Sequence, residues 1–180
     1  MARRGRAWRG KAGAVRRAFL LTTVLYAASI GVAAAVLPER VPLHFTGSGE
    51  PDRWGSRTEA VLTFGLIGAG LALLLGGSAA LMGRLPLRSG IVNLPHKEWW
   101  LATPEREAEA RRRLRTDMYG LGAVTMAFLV GVLGVTVATA RSDDPSLGWP
   151  FMVAVGACVV GVVLWAIWVS VVRYRPVERM

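Results

Sequence analysis

Apolar positions in this chain come in long blocks, without the spacing of a helix or strand that shows one face to water. Four stretches, 18–37, 60–83, 118–140 and 150–172, hold 20, 24, 23 and 23 residues and contain no Asp, Glu, Lys, Arg or His. A helix on a soluble domain keeps a polar face, so charges recur along it every few positions. Stretches of this length can each cross ~30 Å of hydrocarbon at ~1.5 Å per residue. The pattern predicts an all-α integral membrane bundle of four transmembrane helices. It implies an outer loop at 38–59, a cytoplasmic loop at 84–117, and cytoplasmic tails at 1–17 and 173–180. A soluble globular domain is excluded.

The ends of the predicted helices are marked by specific residues. Ser56-Arg57-Thr58-Glu59 has the form of a capping box, in which the serine accepts from the Glu59 amide and the carboxylate reaches back to the Ser56 amide. Thr103-Pro104-Glu105 reads as an N-cap, a proline at the first helical position and an acid facing the positive helix end. Beyond it Glu107/Arg111 and Glu109/Arg113 fall four apart, which supports one long helix that starts in the cytoplasm and ends in the membrane. Small residues repeat at a spacing of four in the first span (Ala27, Gly31, Ala35), the second (Gly68, Ala72, Gly76, Ala80) and the third (Ala123, Ala127, Gly131). Such stripes let helix backbones approach, and they predict packing within the bundle more than contact with a second copy. Trp99, Trp100, Tyr119, Trp149 and Tyr174 flank the spans, where amphipathic rings act as interfacial anchors.

Charge changes the picture by orienting it. The chain carries a formal net charge of +10. Of its 22 Lys and Arg, 18 lie in the N-terminal segment, the loop between the second and third spans and the C-terminal tail; only 4 lie in the other two connections. The division predicts both termini in the cytoplasm by the positive-inside rule. It also makes anionic lipid headgroups the partner of the basic excess. Nucleic acid is not indicated, because the basic residues are spread over three juxtamembrane segments. At 20 residues, the first run exceeds the apolar core of a signal peptide and reads as a retained helix. Cys158 is the only cysteine, so an intramolecular disulfide is excluded. Arginine outnumbers lysine 20 to 2, a bias that suits a GC-rich bacterial genome and hence the bacterial inner membrane.

With no ionisable side chain in the spans, an ion-coupled carrier or pump is disfavoured and any chemistry belongs to the loops. In the outer loop, Pro38 and Pro42 favour an extended entry, and Gly47, Gly49 and Glu50-Pro51-Asp52 predict tight turning. Two short strands around that turn fit, although the loop is brief. His44, Glu50 and Asp52 offer one imidazole and two carboxylates. They suit a hydrogen-bonded turn, a partner-binding surface with Trp54, or a metal or acid–base pair, in that order of preference. The residues assign no catalytic group, no metal and no cofactor.

The same loop carries a resemblance. Leu-Pro, Val-Pro and His-Phe, followed by Gly-Glu-Pro-Asp-Arg-Trp-Gly-Ser over 49–56, resemble an uncharacterised bacterial membrane domain found in SdpI-type toxin-immunity proteins. That pattern commonly has a lysine where this chain has Arg57. The segment 92–102, Val-Asn-Leu-Pro-His-Lys-Glu-Trp-Trp-Leu-Ala, is similar to a stretch in the same family, which then tends to run straight into Pro-Glu-Arg; here Thr103 intervenes. The resemblance spans about 18–106, and the SdpI-type proteins are longer. It implies a binding or regulatory module, with His44, Glu50, Asp52 and Trp54 contacting an extracytoplasmic peptide or protein ligand. On the inner side Asn93, Lys97, Trp99 and Trp100 form either a membrane-anchored segment, with Arg84, Arg88 and Lys97 at headgroups, or a surface for a cytoplasmic protein partner. A structural subunit, a small-solute permease and a loop-based enzyme are the alternatives.

Overall fold

The structure, a computed structural model, describes residues 2–82, 84, 86–89 and 92–176, with side chains from Ala12 onward. In chain order it contains α1 (Ala2–Val36), β1 (Arg40–Phe45), β2 (Pro51–Ser56), α2 (Arg57–Leu81), α3 (Lys97–Trp100), α4 (Pro104–Ala140) and α5 (Trp149–Trp168), which runs on into a π-helical turn (Val169–Arg173). Four segments are long and apolar enough to cross a membrane: Ala12–Val36, Arg57–Leu81, Pro104–Ala140 and Trp149–Arg173. The molecule is an all-α membrane bundle of four long helices, with one small hairpin at one end.

One element departs from the sequence pattern. The first helix starts at Ala2, so the basic segment that reads as a tail is continuous with the span. Its Ala and Arg residues are strong helix formers, and adding turns to an existing helix needs no new nucleus. The loop after α1 folds into the two short strands that its turn residues allow, β1 and β2, paired antiparallel with Arg40 opposite Ser56 and Pro42 opposite Trp54. The register slips on either side of His44. The turn is closed by Thr46 N–H donating to Glu50 O (2.8 Å) and Gly49 N–H to Thr46 O (2.9 Å).

Helices α1, α2 and α4 make the core. The face of α1 that packs inward carries Phe19, Tyr26 and Ala33, with Leu37 just past its end, all buried. Apart from Ala33 these are large residues, and none belongs to the Ala27, Gly31 and Ala35 stripe. A Cβ on Gly68 would stand 1.9 Å from the Tyr26 ring, one on Gly76 3.0 Å from Phe19, and one on Gly122 2.7 Å from Phe19. Aromatic rings of α1 therefore fill hollows left by glycines of α2 and α4, and Tyr26 donates its hydroxyl to Phe64 O at 2.6 Å. The expected α1 stripe faces outward instead: Ala27, Gly31 and Ala35 are exposed, and nothing lies within 4 Å of a Cβ on Gly31. The α4 stripe is likewise displaced, with Ala127 and Gly131 exposed and Gly122, Met126 and Leu133 buried in their place. A close contact needs a small residue on only one of its two helices, so a stripe does not say which face is used.

Helix α5 stands outside this core and, among the described residues, buries none of its own. It is held at its two ends. At the hairpin end Leu147 N–H, just before α5, donates to Gly49 O at 2.8 Å. At the opposite, basic end the π-helical turn carries Arg173 and Tyr174 to Asp117 of α4.

Candidate functional site

The hairpin closes one end of the bundle. Val41 of β1 joins Leu37, Ala60 and Leu133 in one buried cluster, and Pro42 is buried beside it. β1 is thus laid on the helices, while Asp52, Arg53 and Trp54 in the middle of β2 are all exposed. Ser56 caps α2 by accepting from Glu59 N–H at 3.1 Å, as the capping box predicts. The reciprocal half does not form: the Glu59 carboxylate takes the guanidinium of Arg53 as its partner. Arg57 reaches Glu39 at 3.0 Å, its Nε buried without a hydrogen-bond partner among the described residues.

Of the four hairpin residues singled out by sequence, the structure joins two directly. His44 Nδ1 and Asp52 Oδ1 are 2.6 Å apart across the ladder, with their side chains 66% and 44% exposed. Trp54 is on the same strand as Asp52 and is covered by the Arg40 guanidinium, 5.1 Å from its ring centre. Glu50 serves through its carbonyl, which accepts from Thr46, and not through its carboxylate. Among the described residues no three of His, Cys, Asp and Glu converge as a metal would require. The arrangement is a solvent-facing strand with an imidazole–carboxylate pair and a cation-capped indole. It offers hydrogen bonds, charge of both signs and one flat apolar surface.

The basic end corrects the sequence reading. Trp100 is not an interfacial anchor: it is fully buried, donates Nε1–H to Tyr174 O at 3.0 Å and meets the Tyr174 ring edge-on. Lys97 does not reach headgroups either, because its Nζ donates to Ser89 O (2.6 Å) and Val92 O (3.1 Å) and ties the preceding loop shut. Arg88 is exposed, and its guanidinium also donates to Leu101 O at 3.2 Å. Trp99 lies half-buried under the Arg106 guanidinium, 4.2 Å away, and Asn93 alone of the four is exposed. Arg84 is exposed, as a headgroup contact requires.

Around Trp100 is a polar network that sequence reasoning missed. Asp117 accepts from Arg173 through both oxygens at 2.7 Å and from the Tyr174 hydroxyl at 2.9 Å. Arg113 packs over Trp100 at 4.9 Å, donates to Arg173 O at 2.6 Å and pairs with Glu109 at 2.8 Å. Burial first, then the charge and hydrogen bond of Asp117, push the Tyr174 hydroxyl above its ordinary range. The only signal in the sequence was the placement of Asp117 and Arg173, each next to an apolar run. The expected Glu107–Arg111 and Glu109–Arg113 pairs both form, at 2.6 and 2.8 Å.

Residues 19–69 match the family model of a domain of unknown function (DUF1648). The matched segment takes in the second half of α1, the whole hairpin and the first half of α2; it stops well before 92–102, which the sequence resemblance includes. No curated protein and no solved structure matches the chain.

Proposed function

We propose that this multi-pass membrane protein is a binding or regulatory module that recognises a peptide or protein segment on the outer side of a bacterial inner membrane, as the resemblance to SdpI-type proteins implies. The observation that carries the reading is the exposure of three successive residues, Asp52, Arg53 and Trp54, on a strand whose partner is fixed to the bundle. A two-stranded sheet leaves each strand one edge without a ladder partner. An extended segment adds to such an edge through main-chain hydrogen bonds, and side chains supply the selectivity. Here Trp54 offers an apolar platform, and His44–Asp52 a polar contact next to it. The excess of basic residues at the opposite end supports an outward hairpin and cytoplasmic termini.

The test compares wild type with a variant carrying alanine at His44, Glu50, Asp52 and Trp54, both purified in mild detergent and shown to fold alike. Mass spectrometry is expected to find a peptide or protein with the wild type that is missing from the variant. Retention by both would remove the hairpin from recognition. A second reading, a structural subunit, is favoured by α5, which buries no described residue against its own chain. It requires a partner that stays bound in the hairpin variant and is lost when α5 is altered.

A further inference from the structure

Between α1 and α4, at the basic end, lies a cavity of about 480 Å³ lined by Arg16, Arg111, Arg112, Arg115, Thr116 and Tyr119, with small residues of both helices completing it. Among the described residues no carboxylate lines it. Glu107 and Glu109, on the same helix, pair with Arg111 and Arg112, whereas Arg16 and Arg115 have no acidic partner among the described residues. Arg115 instead covers the Tyr119 ring at 5.8 Å. Tyr119 is 8% exposed, packs its ring on Phe19 at 5.6 Å, and its hydroxyl has no hydrogen-bond partner among the described residues. The hydroxyl oxygen is not one of the buried polar atoms left unpartnered, so it is open to the cavity that Tyr119 lines and can donate there.

The depth of the cavity identifies what fills it. Arg16 and Arg115 are among the last charged residues before the apolar runs that start at 18 and 118, so both helices pass from charged to apolar at the level of the cavity. We infer that it is a specific site for the phosphate of an anionic phospholipid, held by Arg16 and Arg115 with Tyr119 donating, while the acyl chains continue along the apolar surface of the bundle. Guanidinium groups match phosphate oxygens in geometry and charge, and basic pockets between membrane helices are a known setting for such headgroups. The inference does not depend on the role of the hairpin.

Native mass spectrometry of the full chain in mild detergent, with phosphatidylglycerol or phosphatidylcholine added, tests it. One phosphatidylglycerol is expected to stay bound where phosphatidylcholine does not, and millimolar inorganic phosphate is not expected to displace it. Arg16→Gln with Arg115→Gln should weaken retention by about thirty-fold. Arg84→Gln with Arg175→Gln, which removes the same charge elsewhere at this end, should change it by no more than about threefold. Tyr119→Phe, which keeps the ring packing, should weaken it as well. Equal retention of the two lipids, or unchanged retention by the Arg16/Arg115 variant, overturns the site. Displacement by inorganic phosphate overturns the lipid assignment in favour of a soluble phosphate ligand.

Discussion

The indole N–H of Trp100 donates to the main-chain carbonyl of Tyr174 over 3.0 Å, joining residues 74 positions apart. Both residues are almost completely buried. Because α5 buries nothing along its length among the described residues, this bond and the neighbouring Asp117 contacts decide where its basic end stands. Trp100→Phe keeps most of the packing and leaves the carbonyl without its donor. The expected cost is about 1–3 kcal/mol in thermal or denaturant unfolding in detergent. Proteolysis should reach the segment after α5 sooner in the variant than in wild type.

Asp117→Asn removes the charge opposite Arg173, whose side chain is only 16% exposed. The arginine is then left partly buried without a counter-charge, at a cost of roughly 2–4 kcal/mol. Asparagine still accepts from the Tyr174 hydroxyl, so a loss as small as that of a surface substitution would show that the ion pair contributes little.

The Tyr174 hydroxyl gives a pH dependence with a definite sign. Its value is raised above the ordinary 10.0 by burial and then by Asp117, so the fold favours the neutral phenol. The associated stability is fully present below pH ~10 and is lost as pH rises towards the higher folded value. Unfolding measured from pH 7 to pH 11 should fall off more steeply for the wild type than for Tyr174→Phe. Parallel curves would mean that the hydroxyl stays accessible to water.

Gly49 has φ +89°, and a Cβ there would stand 2.2 Å from Leu147 O. Gly49→Ala therefore meets backbone strain and a clash together, and is expected to cost about 1–3 kcal/mol. Because Leu147 N–H bonds to Gly49 O, the same change should raise hydrogen exchange in both the hairpin turn and the segment before α5. Faster exchange in the turn alone would show that the two loops are not coupled.

Two glycines that look alike in sequence should respond differently to alanine. Gly68→Ala places a methyl group 1.9 Å from the Tyr26 ring and should destabilise by roughly 1–3 kcal/mol. Gly31→Ala meets nothing within 4 Å and should stay within about 0.5 kcal/mol of wild type, or gain slightly from helix propensity. Equal losses at the two positions would mean that another chain covers the outer face of α1.

Much of the architecture is legible in the chain because it follows from local chemistry. A charge-free run long enough for hydrocarbon has to be a helix that satisfies its own backbone, so the four spans can be read without reference to one another. The Ser56 and Thr103 caps and the Glu107–Arg111 and Glu109–Arg113 pairs are local in the same way, and each side-chain contact forms in the structure. Which surfaces meet is a relation between distant segments. The inward face of α1 was settled by Phe19 and Tyr26 finding hollows at Gly76, Gly122 and Gly68, and no stripe in α1 alone encodes that match. Trp100 and Lys97 look like interfacial residues by composition, yet Trp100 is fully buried with its N–H on the Tyr174 carbonyl, and the half-buried Lys97 donates to the carbonyls of Ser89 and Val92. His44 and Asp52 were legible as polar loop residues, but only the hairpin register brought them within 2.6 Å and left Glu50 out. The sequence by itself determined the membrane setting, the number of long helices and their caps, because those depend on each segment's own balance with lipid and water. Tertiary structure alone decided the faces, the latch on α5 and the composition of the sites, because a hydrogen bond or a close contact exists only once both partners are in place.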